Sequence, residues 1–483
     1  MRLPVYDSRH SKSLPANTTT ARSSWRRRLR DARSFVHREQ PSTQPARHGA
    51  RAQPSRQGRV RRAGFVVLIG SVLGNGISLL VIPLISRIFE PAVYGEFAVI
   101  TSVVSVFVGV STFRIEVLSL RATDDAEAAM LIWLGLLASV AWGVGLTLAA
   151  GLAVGIWHLT GYWLSTGILV FLASLQLLGS TVLMRERRYR SLAAGNFLQG
   201  AGLGVIQLFL GLISPGIDSL LAGFGSARLG WLAALRKPRY DRRRISALWR
   251  QNRRFATLAG SSAFLNSLTS SVPILLVSAF YGDAAVGQLA ISIRLLVTPL
   301  NIIGQCAASA NLGEISRMLR DRDFDDAVHL VKHGMRDLLA IGLIPCILAG
   351  TAGIWVVPFV LGQKWREAGL LLAVQAVGAL AQFVASPFGQ LLNVTGDNRR
   401  LLIWDTSRFC VTVLIFCAAR AEGLSPVWAV GCWSTALIVV YAALAHMIPH
   451  TINRYRARQT GSPEPNTPRS SQRLLRPRSG SEA

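Results

Sequence analysis

Four arginines stand inside runs of apolar residues: Arg87, Arg228, Arg294 and Arg408. A guanidinium there must face an internal cavity, pair with another group or reach an interface, because lipid solvates it poorly. It stays charged at every relevant pH and offers a planar fork that matches phosphate oxygens two at a time, so the chemistry on offer is the holding of an anion, phosphate above all. Arg294, in LAISIRLLVTPL, stands too deep in its run to snorkel comfortably. Arg87 and Arg114 lie near run ends, where snorkelling competes with the cavity reading. Asp405 precedes Arg408 by three residues, the spacing of a helical ion pair, and Glu116 follows closely on Arg114. Asp405 and Glu116 are therefore the candidates for coupling an ion. Asn75, Gln176, Asn196, Gln199, Gln207 and Gln375 add neutral polar groups to the same kind of run. They fit hydrogen bonds between helices and equally a wet path for a hydroxyl-rich cargo.

Other constellations fall short of chemistry. Asp321 and Asp323 in DRDFDD have the form of an acidic pair that holds a metal and a sugar nucleotide, but their loop is too short for a catalytic domain, and a solvated helix start explains them. His329 and His333 share a helix face without HExxH or a third ligand. No phosphate loop, GxSxG or strand-to-helix GxGxxG occurs, so the chain carries no ATPase engine and is not expected to be an enzyme or to need a cofactor or metal. The five cysteines, in apolar stretches without a CxxC pair, read as small packed hydrophobes.

Apolar windows at about 64–88, 92–112, 129–154, 164–184, 192–214, 219–235, 255–280, 285–310, 335–360, 367–393, 400–419 and 426–447 predict twelve transmembrane helices. The weakest is 219–235, short and carrying Arg228. With the N-terminus inside, the cytoplasmic loops collect the basic runs at 185–190 and 236–254, whereas the outer loops hold three basic residues, Lys364, Arg366 and Arg420. Both termini are therefore expected on the cytoplasmic side. An internal repeat accompanies this count. An offset of 190 residues matches Phe65 with Phe255, Leu68 with Leu258, Gly70 with Gly260, Ser71 with Ser261 and Pro83 with Pro273, and two further residues bring Gly95 opposite Gly287. Two six-helix bundles, 63–235 and 255–447, follow, joined by a basic linker at 236–254, and paired bundles of this kind hold their site between them near the midplane.

The net charge of +27 is concentrated at the ends, +13 in residues 1–62 and +5 in residues 448–483. Only +9 remains for the apolar body, mostly in short loops, which excludes a groove that tracks nucleic acid. Both ends read as disordered basic cytoplasmic tails. The first has no apolar h-region of a secretory signal, and its Arg- and Ser-rich makeup superficially suits a mitochondrial transit peptide.

PLISRIFEPAVYGEFAV from Pro83, FRIEVLSL at 113–120 and above all the tract at 360–400, with Gly362, Trp365 and Ala368 in a GxxWxxA pattern and an end in TGDNRR, resemble bacterial polysaccharide-biosynthesis flippases. These belong to the multidrug, oligosaccharidyl-lipid and polysaccharide exporter superfamily, and the resemblance covers nearly all of 64–447. It implies an all-α integral membrane protein of two six-helix bundles in a V, alternating access, and a polyprenyl-diphosphate-linked oligosaccharide (an O-antigen, exopolysaccharide or capsule repeat unit) as cargo, with membrane lipids and envelope-synthesis proteins such as a polysaccharide polymerase as partners. It also implies that Arg294, and Arg114 at the end of span two, occupy positions where such flippases often place a basic residue. AASANLGEISRM at 307–318 lacks the proline many relatives carry there, a departure that concerns helix geometry.

Three alternatives compete. A drug or cation antiporter of the same superfamily would want unpaired carboxylates in its spans; a membrane-embedded polymerase or ligase would want a large outer loop; a scaffold for envelope synthesis could use the Arg-rich tails. Alkaline phosphatase fused after Lys364 is expected to be active and after Arg187 inactive, in intact cells. Activity at Arg187 would reverse the orientation.

Overall fold

The computed structural model describes residues 56–235, except Leu159, and 242–460. Among the described residues there is no strand, and eleven helices are long and apolar enough to cross a membrane. The protein is an all-α, multi-pass membrane protein.

The first half comprises α1 (Arg56–Ile88), α2 (Pro91–Ser111), the short α3 (Ile115–Arg121), α4 (Asp125–Trp157), α5 (Thr166–Arg185), α6 (Tyr189–Ile213) and α7 (Ile217–Ser226). The second comprises α8 (Arg242–Tyr281), α9 (Asp283–Asp321), α10 (Phe324–Thr351), α11 (Gly353–Leu361), α12 (Arg366–Ala385), α13 (Gln390–Val394), α14 (Asn398–Ala421) and α15 (Pro426–Thr460). The 39 residues of α9 span about 58 Å at 1.5 Å each, nearly twice the ~30 Å apolar core of a bilayer.

Small residues decide which helices meet. α1 lies against α6 so closely that a Cβ on Gly74 would fall 2.7 Å from Phe197 O, and one on Gly200 would fall 2.6 Å from Gly74 C. Without a hydrophobic drive between helices in lipid, this close backbone approach is what gains dispersion energy. In the second half α12 packs on α15, α10 and α9, and α8 packs on α14. The halves are joined through α2, which runs beside α8 and crosses α9. At that crossing a Cβ on Gly95 would strike the carbonyl of Asp283, and one on Gly287 would strike the carbonyl of Pro91. The two glycines matched by the internal repeat thus meet each other.

Several expected boundaries differ from the structure. The segment 219–235 is not a continuous span: α7 has ten residues, and a 3-10 turn, Leu229–Ala234, follows. Gly223, Gly225 and Gly230 weaken helix propensity there, and Arg228 holds its chain against the preceding turn. The linker 236–254 is helical from Arg242, where its basic residues begin α8. The tail expected to be disordered from 448 continues α15 to Thr460, because Ile448 and Ile452 stay buried, the Tyr455 ring meets Phe324, and Arg456 pairs with Asp325 at 3.0 Å. Likewise α1 begins at Arg56, within the span assigned to the first tail. The rest of both tails and residues 236–241 lie outside the described residues.

Replacing Gly95 or Gly287 with Ala is expected to destabilise the protein by about 1–3 kcal/mol or more, the cost of overpacking, read as a lowered Tm in detergent. Gly145→Ala, with nothing within 4 Å, should be neutral or slightly stabilising.

Candidate substrate pathway between the two halves

Arg294 reaches from α9 into the first half. Its Nη1 donates to the Tyr94 hydroxyl on α2 at 2.9 Å, and its Nη2 donates to Ser78 Oγ on α1 at 2.5 Å. Both acceptors are buried, at 3% and 4% exposure, while Arg294 itself is half-buried. Among the described residues no carboxylate lies within ion-pair distance of this guanidinium. Its partners are neutral hydroxyls, so its positive charge is uncompensated at the join between the halves, where an anion would be drawn.

One end of the join is closed by the turn that the GxxWxxA pattern occupies. Gly362 has φ +105°, a conformation that side chains rarely adopt, and it turns the chain from α11 towards Trp365. The fully buried indole donates through Nε1 to Ser86 O on α1 at 2.8 Å, and Ser86 Oγ donates to Leu361 O at 3.1 Å. Gln288 of α9 braces the turn: its Nε2 donates to Lys364 O at 2.7 Å, and its Oε1 accepts from Ala368 N at 2.9 Å. Lys364 Nζ pairs with Glu90 at 3.0 Å. The Tyr94 ring meets Trp365 edge-on, with centroids 6.0 Å apart.

The other residues singled out by the sequence lie in separate groups. Arg87 is exposed at the end of α1 and donates to Val360 O at 3.4 Å. Asn75 donates to Ser71 O within α1, whose Ser71 hydroxyl accepts from Asn196. Arg228 lies 3.6 Å over the Phe224 ring and donates to Phe224 O, inside the first half. Arg408 donates to the Tyr441 hydroxyl at 2.9 Å, lies 3.7 Å from Asp405 and faces the Trp404 ring at 5.1 Å, all within the second half. Gln199 joins Gln176 to the indole of Trp231, a bond between helices. Tyr94 and Ser78 were not among the sequence candidates. A hydroxyl in a span carries no signal by itself, and the only hint was that Tyr94 adjoins Gly95 of the repeat.

Arg114 and Glu116 sit outside the spans, at the turn from α2 to α3, where Phe113 and Arg114 adopt φ +51° and +56°. Arg114 is exposed and Glu116 buried, with Nε and Oε1 3.8 Å apart. Thr112 donates to Glu116 Oε2 at 2.8 Å, while Oε1 is buried without a hydrogen bond. Burial raises the pKa of this carboxyl, against the smaller opposing effects of Thr112 and Arg114.

Solved structures share this arrangement of helices. The chain is similar to the lipid II flippase MurJ in its inward closed conformation, with a TM-score of 0.62 and 12% identity over 82% of this chain and 91% of that one. It is similar to the Vibrio cholerae MATE transporter VcmN, with a TM-score of 0.56 and 14% identity over 82% and 96%. A MOP superfamily transporter from Pyrococcus furiosus, described as having a binding pocket of reverse polarity, gives a TM-score of 0.53 and 14% identity over 81% and 96%. No curated protein sequence matches. The family described as polysaccharide biosynthesis protein matches residues 84–369, more than half of the chain, and the chain belongs to that family.

A carboxyl with a raised pKa binds its proton more tightly in the folded than in the unfolded state. Glu116 therefore favours the fold at acid pH, and stability falls as pH rises from the ordinary 4.5 through the raised value. Glu116→Gln should remove this part of the slope in Tm against pH and raise Tm at neutral pH; an unchanged slope would show that Glu116 is ionised in the fold at no cost.

Proposed function

We propose that the protein is a flippase that carries a polyprenyl-diphosphate-linked oligosaccharide from the inner to the outer leaflet of the bacterial cytoplasmic membrane by alternating access. The observation that carries this reading is Arg294: a permanent cation at the join of the halves, held by two hydroxyls and by no carboxylate among the described residues. An anionic head group is the complement of such a site, and a diphosphate fits the guanidinium fork. A cationic drug is not. The bundles 63–235 and 255–447 act as the two bodies that rock, with 236–254 between them, and the end closed by Trp365 faces outwards, as the basic residues of the opposite loops require. The O-antigen, exopolysaccharide or capsule repeat unit carried would pass on to a polymerase of the envelope.

Arg87, Arg114, Arg228, Arg408 and Asn75 stand apart from Arg294, each with partners of its own, and the reading does not need them; both basic tails lie on the cytoplasmic side, where anionic lipid contributes about 1 kcal/mol per basic residue near the surface. A diphosphate leaving an inside-negative cell gains about 2.3 kcal/mol per charge per 100 mV, so the membrane potential suffices as the drive. Glu116 and Asp405 are the groups through which a cation or proton would couple if it does not.

In proteoliposomes the protein should flip a fluorescent polyprenyl-diphosphate oligosaccharide. Arg294→Ala should lose about tenfold or more of that rate, the loss of a charge-assisted contact, with partial rescue by Lys. Protein that moves no such lipid and instead exchanges cationic drugs for protons would replace the flippase with the antiporter.

A further inference from the structure

Tyr94 of α2 touches two residues of the second half at once, Arg294 and Trp365. Its hydroxyl accepts from Arg294 of α9, and its ring stands edge-on to Trp365, in the turn before α12, at an interplanar angle of 89°. Tyr94 is 3% exposed and Trp365 is fully buried, tied through its indole to Ser86 of α1. The Phe97 ring also meets the tyrosine, with centroids 5.7 Å apart. The phenol therefore bridges the cationic group at the join and the plug of the closed end.

We propose that Tyr94 is the positioning residue that couples an anion held by Arg294 to the opening of the end closed by Trp365. This rests on the reading of Arg294 as the anion's ligand and adds the route by which occupancy reaches the seal. A phosphate oxygen is charged and takes two parallel N–H bonds, so it outcompetes a phenol and a serine hydroxyl for the guanidinium. Once it does, the bonds from Arg294 to Tyr94 Oη and Ser78 Oγ, which tie α9 to α2 and α1, are lost, and the closed arrangement loses that stabilisation. Opening lets water reach both hydroxyls. Anion binding and closure thus oppose each other, and the anion shifts the population towards the open form by its difference in affinity for the two. An empty carrier stays sealed at that end, and a loaded one releases it.

The test places nitroxide labels on Ala92→Cys and Gln363→Cys, both exposed positions flanking the seal, in a chain whose five native cysteines are replaced by serine. Distances between the labels are measured in nanodiscs by pulsed electron resonance, with and without geranylgeranyl diphosphate, and binding of the same probe is followed by calorimetry. With Tyr94 intact, the probe should lengthen the distances. Tyr94→Phe keeps the ring and loses the hydroxyl, so it should raise the open population about tenfold without probe, equivalent to about 1.4 kcal/mol, and blunt the response to the probe. Tyr94→Leu, which loses the ring as well, should do the same or more. A purely structural tyrosine would lower Tm and leave the probe's response intact, so a Tyr94→Phe protein that responds as the parent does overturns the coupling. Binding that depends on Arg294 but moves no distances also overturns it, while leaving the transport reading in place. No binding of the probe to the parent protein removes both.

Discussion

The arrangement depends on how closely α2 and α9 cross. Gly95 and Gly287 each occupy a place where even a methyl group would meet a backbone carbonyl of the other helix, Asp283 O in one case and Pro91 O in the other. Helices in lipid gain little from burying apolar surface against one another, so contact of this kind, in which backbones touch, is what can fix a crossing point. The cationic group at the join depends on that geometry, because a wider crossing would leave Arg294 of α9 short of Tyr94 on α2.

The arginines within the apolar segments divide by what satisfies them. Arg408 has a carboxylate, a phenol and an indole around it, and Arg228 has an aromatic ring and a carbonyl of its own turn. Such charges are balanced locally, where removing a single partner costs more than the pair contributes. Arg294 is balanced only by dipoles, and those dipoles belong to the other half of the molecule. A charge left in this condition is the more readily used for binding, because a ligand need not first displace a carboxylate.

The Gly362, Trp365 and Ala368 pattern has a physical account once the fold is seen. The glycine supplies a positive φ, the tryptophan fills a buried site beneath α1 and binds its backbone, and the alanine is fully buried while its N–H is taken by Gln288. In the sequence the same residues carried only a resemblance. Their roles were illegible there because each partner, Ser86, Gln288 or Tyr94, lies far away along the chain.

Hydropathy and charge by themselves determined that the chain is helical and crosses a membrane many times, because a backbone in lipid must satisfy its own hydrogen bonds and only helices or closed barrels do so. The repeat also singled out Gly95 and Gly287, though not that they touch. Local propensity misjudged segments whose fate is set by neighbours: 219–235 breaks near Arg228, and 448–460 stays helical because it packs on the start of α10. Only the tertiary structure decided which of six candidate side chains stands at the join. Arg87, Arg228, Arg294 and Arg408 look alike in sequence, since a charge in an apolar run reveals its cost but not its partner, and partners in a helical membrane protein are chosen by packing between segments distant in the chain.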